Sequence, residues 1–231
     1  MKKRIFEAIF IGILLIGVTS MGYRAGMSSN IDDFTVYEGT STDDLPVYES
    51  TSVYPEFTLS TLTDTASYIL KAEVVEVGDS FLKEISASLT ENPEDATEMI
   101  SYPVTPVTLK VDNAVKGHMI DDEFTYYEEG GITSTYIQLP DGYAMEEGME
   151  IILFLNQNGY GWGAQSIFPI IEDKVVLNET AWDYFDEKDM FVLDTQDLNS
   201  DYRNQINMEK VCLVAVDDFI GVIQDAMQAI K

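Results

Sequence analysis

The stretches Ser67–Val77 (SYILKAEVVEV) and Tyr102–Ala114 (YPVTPVTLKVDNA) decide the fold. In the first, Leu70, Ala72, Val74 and Glu76 alternate with Ile69, Lys71, Glu73 and Val75, so the two sets fall on opposite faces of a strand. Both faces are mixed, which predicts a strand partly covered on each side. The second carries Val104, Val107, Leu109 and Val111, and its apolar run continues to Val115. Its prolines are confined to the start, where a missing N–H suits a strand beginning or an edge. Gly78 ends the first strand and Lys116-Gly117 turns the second.

Outward from this pair, glycine-marked turns separate further apolar runs. Asp122–Glu128 reads as a strand, and Glu129-Gly130-Gly131 as a turn or bulge. Ile132–Leu139 alternates weakly. Pro140-Asp141-Gly142 and Glu147-Gly148 are turns by residue type. Met149–Leu155 (MEIILFL) is almost wholly apolar and is expected at the centre of the sheet. Asn158-Gly159 is the strongest short hairpin signal. Trp162–Phe168 and Lys174–Leu177 read as strands, with Pro169 ending the first, and Phe191–Leu193 as one more. Phe81–Met99, polar and acidic around Asn92-Pro93, reads as a long loop with at most a helical turn. Leu59–Ser67 (LSTLTDTAS) suggests a short helix. From Asp217 to Lys231, Phe219, Ile220, Ile223, Ala226, Met227 and Ile230 form one helical stripe. Asp217 and Asp218 complement the positive end of that helix. The expected fold is mainly β: a small OB-like antiparallel barrel, closed or partly open, with a C-terminal amphipathic helix at 217–231.

The 231 residues include 41 acidic and 13 basic side chains, a formal charge of -28. Such a surface repels nucleic-acid phosphate and anionic lipid, and attracts cations and basic partners. A hydrophobic content of 45% excludes a wholly disordered chain. Cys212 is the only cysteine, so no internal disulfide forms; in Val211-Cys212-Leu213-Val214 it is expected as a small buried hydrophobe.

Lys2, Lys3 and Arg4 precede an apolar run from Ile9 to Val18, the pattern of an export signal. Cleavage after Ser20 or Gly22 is a poor match, which favours a retained anchor over 1–27. No cysteine follows the run, so a lipoprotein anchor is excluded. Residues 28–57, without a lysine or arginine, read as an acidic tether, ordered locally near Phe34–Tyr37 and Leu45–Tyr48. The barrel and its helix are assigned to 58–231. The chain is expected outside the cytoplasm, at the cell surface or secreted, touching membrane only through its N-terminal segment.

Catalytic residue sets are thin. His118, the only histidine, sits in a turn, and one histidine cannot supply a multi-histidine zinc site. Asp121, Asp122 and Glu123 are clustered carboxylates, but neighbours on a strand point to opposite faces. Asp197, Asn199 and Asp201 match positions 1, 3 and 5 of a calcium loop, whereas Tyr202 and Met208 stand where the loop wants glycine and glutamate. Tyr126, Tyr127, Tyr136, Tyr160 and Trp162 are candidates for an aromatic platform that stacks a sugar or peptide. Nothing selects a carboxylate pair for glycoside hydrolysis. There is no phosphate loop, dinucleotide fingerprint or CxxC.

The succession Val107–Gly117 (VTLKVDNAVKG), Glu128–Gly131 (EEGG) and Glu146–Leu155 (EEGMEIILFL) resembles bacterial surface proteins that carry a barrel like that of tissue inhibitors of metalloproteinases and netrin modules. The resemblance runs from about Thr58 to Leu177 and takes in the last helix. It implies an OB-type barrel; the bacterial members are mostly without assigned function. The animal inhibitors reach a protease zinc through an N-terminal cysteine, which this chain lacks, so the resemblance does not imply inhibition. The expected function is a non-catalytic extracytoplasmic module that binds a surface protein, a peptide or a glycan, and needs no cofactor. Its rivals are a calcium-dependent surface scaffold or adhesion module and a carboxylate-dependent wall-glycan hydrolase.

Overall fold

A computed structural model describes residues 45–49, 54–87, 98–118, 122–140, 143–186, 190–194 and 210–229. The chain is mainly β and ends in a helix. In order, the elements are β1 (Val47–Glu49), α1 (Leu59–Thr65), β2 (Tyr68–Val77), β3 (Phe81–Ala87), β4 (Glu98–Lys116), β5 (Glu123–Glu129), β6 (Gly131–Ile132), β7 (Ile137–Leu139), β8 (Glu150–Leu155), β9 (Ile167–Ile171), β10 (Lys174–Leu177), a 3₁₀ turn (Trp182–Tyr184), β11 (Phe191–Asp194), β12 (Lys210–Ala215) and α2 (Val216–Ala229). The chain forms two compact units, one of residues 56–78, 106–128 and 142–231, the other of the remainder.

In the larger unit the strands run β11-β12-β10-β9-β8-β2-β4, and β5 pairs with β4. Among the described residues this order is open at both ends. β2 lies antiparallel between β4 and β8. Its expected two-sided cover is seen: Leu70, Ala72 and Val74 are buried on one face and Ile69 on the other, where Lys71 donates to Glu150 at 2.8 Å and lies 3.7 Å from Asp112. The hydrogen bond it donates to Glu150 is the main reason the Lys71 ammonium is held above its usual range. β8 is central, with every residue from Ile151 to Leu155 buried.

α1 packs against α2. Its first turn is closed by a capping box between Thr58 and Thr61. The carbonyls of Thr63 and Asp64 accept from the Lys116 ammonium, at 2.7 and 3.0 Å, so a strand residue caps the helix end. α2 buries Phe219 and Ile223. The Phe168 ring lies 5.5 Å from Phe154 and 4.9 Å from Phe219, joining helix to sheet.

In the smaller unit β3 pairs with 98–104, the first part of β4. The loop expected over Phe81–Met99 is therefore wrong at both ends: Phe81–Ala87 and the residues from Glu98 are paired strands. Lys83 and Glu84 break the apolar signal, but backbone pairing needs only the two edges to meet. A second sheet has the order β1-β7-β6, with β1 parallel to β7 and β6 antiparallel to it. Of the two stretches expected to be ordered in the tether, Leu45–Tyr48 overlaps β1 at Val47 and Tyr48, with the strand running on to Glu49, and Phe34–Tyr37 lies outside the described residues. Gly130 and Gly131 have φ of 118° and 145°. A Cβ on Gly131 would run into Ser80 and Thr105. Their hydroxyls lie 2.9 Å apart, Thr105 donates to the Gly130 carbonyl, and Ser80 accepts from the Ile132 amide.

Two further expectations are corrected. The strand expected over Trp162–Phe168 is instead a turn followed by β9. Pro169 does not end that strand; it pairs across from Ile151 within it. The ladder to β10 reaches only Ile170, one residue short of Pro169, so the missing N–H costs no hydrogen bond there. Cys212 is only half-buried, because it alternates with the buried Val211 and Leu213. No helix among the described residues is long and apolar enough to cross a membrane, and residues 1–27 lie outside them.

Phe168→Ala removes the ring that bridges Phe154 and Phe219 and should destabilise the fold by roughly 3–5 kcal/mol. Val192→Ala, at an exposed site, should cost less than about 0.5 kcal/mol. Urea unfolding of the two variants measures both.

Candidate functional site

The buried carboxyl lies in β5. Phe124, Tyr126 and Glu128 share the inward face of Glu123–Glu129, while Glu123, Thr125 and Tyr127 are exposed. Tyr126 joins the main apolar cluster. Glu128 is only 7% exposed, and its Oε1 accepts from the Met145 amide at 3.1 Å. Met145 belongs to an irregular segment, 143–149, in which Tyr143, Met145 and Met149 are buried. The far end of that segment is held by Val74, whose amide donates to the Met149 carbonyl while its carbonyl accepts from Gly148 N, each at 2.8 Å. Burial pushes the Glu128 carboxyl up from 4.5 to about 8, against the smaller opposing effect of the Met145 amide. Burial likewise raises the Tyr143 phenol. At neutral pH Glu128 is therefore mostly protonated, an acid held neutral inside an apolar cluster.

The second feature is the loop 156–166. Asn156 Oδ1 accepts from the amides of Asn158 and Tyr160, and Gly159 takes a φ of 80°, as the Asn-Gly signal predicts. Ser166 Oγ accepts from Trp162 N at 2.7 Å and donates to the Gly163 carbonyl. A Cβ on Gly161 would lie 2.7 Å from Ser166 Oγ and 3.2 Å from the Tyr126 hydroxyl, so only glycine fits there without displacing one of them. Trp162 is buried with its ring 5.4 Å from Phe57, and its indole N–H has no hydrogen-bond partner among the described residues.

The third feature is the β1-β7-β6 sheet. Its register places Val47, Ile137 and Ile132 in one row across the three strands, with Leu139 and Glu49 paired on the same face. Val47 is 57%, Ile132 51% and Leu139 44% exposed. The opposite face carries Tyr48, whose ring meets Tyr136 edge-on at 5.8 Å.

The residues named for an aromatic platform fall in both units. Tyr126 and Trp162 are buried in the larger unit, Tyr160 is exposed in its loop, and Tyr136 belongs to the smaller unit against Tyr48. Asp197, Asn199 and Asp201 lie outside the described residues, as does Asp121. Asp122, Glu123 and His118 are exposed. Among the described residues no group of three His, Cys, Asp or Glu side chains could hold a metal. Glu128 and the aliphatic row escaped sequence reasoning. The alternation in EFTYYEE was the available signal for Glu128, since it puts an acid on the face of Phe124 and Tyr126.

Comparison of the chain with family models, with curated proteins and with solved structures finds no match.

The raised Glu128 pKa makes stability depend on pH with a definite sign. The folded state binds the proton more tightly than the unfolded state, so this contribution is complete below about 4.5, falls as pH rises, and is lost above about 8. At about 1.4 kcal/mol for each tenfold change in acidity, the loss is roughly 5 kcal/mol. Glu128→Gln should remove it: the wild type minus variant difference in unfolding free energy should fall between pH 4.5 and 8 in urea titrations.

Proposed function

We propose that the chain is an exported, non-catalytic binding module that engages a protein or peptide outside the cytoplasm. The observation that carries this reading is the β1-β7-β6 sheet, which exposes Val47, Ile132 and Leu139 on one face and Tyr48 on the other. Apolar side chains grouped on an exposed sheet, within a surface otherwise rich in acid, have the composition of an interaction surface. The basic N-terminus and apolar run support export, with the segment kept as an anchor. The strand succession and the terminal helix support an OB-like barrel, closed or partly open, of the kind found in inhibitors of metalloproteinases and netrin modules. Glu128, the one buried acid among the described residues, supports a structural role: its Oε1 accepts from the main-chain amide of Met145 in the 143–149 segment.

A panel of wall glycans and wall peptides incubated with the full chain should show no turnover. Turnover abolished by a single carboxylate change overturns the reading in favour of hydrolysis. Calcium should leave the thermal midpoint unchanged, whereas a rise with calcium concentration identifies a cation-dependent scaffold instead.

A further inference from the structure

We infer that the aliphatic row Val47, Ile132, Ile137 and Leu139 docks a cationic polypeptide segment that carries aliphatic side chains. The inference rests on the binding-module reading and adds the chemistry of the partner.

The geometry supplies the apolar half. Parallel pairing sets Val47 beside Ile137 and Glu49 beside Leu139; antiparallel pairing sets Ile132 beside Ile137. Paired residues share a face, so these side chains form one surface across all three strands. Three of its four aliphatic residues are about half exposed, and Ile137 between them is half-buried.

Charge supplies the other half. The described residues of this unit carry five acids, Glu49, Asp79, Glu84, Glu98 and Glu129, against one base, Lys83, in a chain whose formal charge is -28. One of the acids, Glu49, lies on the aliphatic face itself, paired with Leu139. A second copy would bring a like-charged surface against this one, and an anionic lipid surface would be repelled. A lysine- or arginine-bearing segment is drawn in by the field and then buries aliphatic carbon on the row.

The test uses the full chain and fluorescein-labelled synthetic peptides of alternating lysine and valine, lysine and serine, or glutamate and valine. Anisotropy titrations should show the lysine–valine peptide binding more tightly than either control, and more weakly as salt is raised. The double variant Ile132→Thr/Leu139→Thr makes two exposed strand positions polar while keeping them compatible with a strand, and should bind that peptide about tenfold more weakly. It should bind the lysine–serine peptide unchanged. Glu49→Lys, which alters no apolar contact, should also weaken lysine–valine binding. Should the double variant melt early, Glu49→Lys and the single change Val47→Thr decide the matter.

Four results overturn the inference: no lysine–valine binding, binding unaffected by these variants, equal binding of the glutamate–valine peptide, or equal binding of the two lysine peptides to the wild type. It also falls if the wild type sediments as a dimer and the double variant as a monomer, or if the wild type floats with zwitterionic vesicles and the variant does not. These outcomes leave the binding-module reading standing, because that reading fails on substrate turnover instead.

Discussion

β2 is held on both sides, by β4 and by β8, and the larger unit depends on that register. Side chains alternate along a strand, so a slip of one residue would carry Leu70, Ala72 and Val74 out of the core and put Lys71 and Glu73 in. The register is paid for in part by an ionic clasp: Lys71 reaches Glu150 on β8 and Asp112 on β4, one partner on each flanking strand. Three bulge-like shifts between β2 and β4 absorb the mismatch between the two strands without moving the apolar face. β8, buried from Ile151 to Leu155, then carries the sheet on to β9 and β10.

Against this frame the polar groups divide by what they hold. Lys116 ties a helix end, Ser166 ties the turn after Trp162, and Ser80 with Thr105 ties the Gly130-Gly131 corner. Glu128 does similar work for the 143–149 segment, at the cost of keeping an acid away from water. The acids on the surface do not share that cost. Among the described residues of the smaller unit, Glu49, Asp79, Glu84, Glu98 and Glu129 stand against the single base Lys83. An apolar row in such a field discriminates by charge first and by contact second.

Much of the architecture was legible along the chain. The periodicity of Ser67–Val77, the apolar run at Met149–Leu155, the Asn158-Gly159 turn and the stripe from Phe219 to Met227 each have a local cause, and each appears where that cause places it. β3 was not legible, because Lys83 and Glu84 carry no apolar pattern and its pairing with β4 is settled by a strand beginning eleven residues after β3 ends. The turn before β9 was missed because it is built on one hydroxyl, Ser166, bonding back to Trp162 and Gly163. Hairpin β9–β10 turns through Glu172 and Asp173, both at positive φ, although neither residue is glycine or asparagine.

By itself the sequence determined that the chain is β-rich, strongly acidic, poor in cysteine and histidine, and closed by an amphipathic helix, because composition and periodicity are local quantities. Tertiary structure alone decided which acid is buried, which tyrosines are buried, and which aliphatic residues form a row. Burial of Glu128 depends on Met145 folding back over β5, and the row depends on Val47, far away in sequence, pairing beside the local β6–β7 ladder that holds Ile132 and Ile137. Such groupings arise from pairing between distant segments, and no window along the chain contains them.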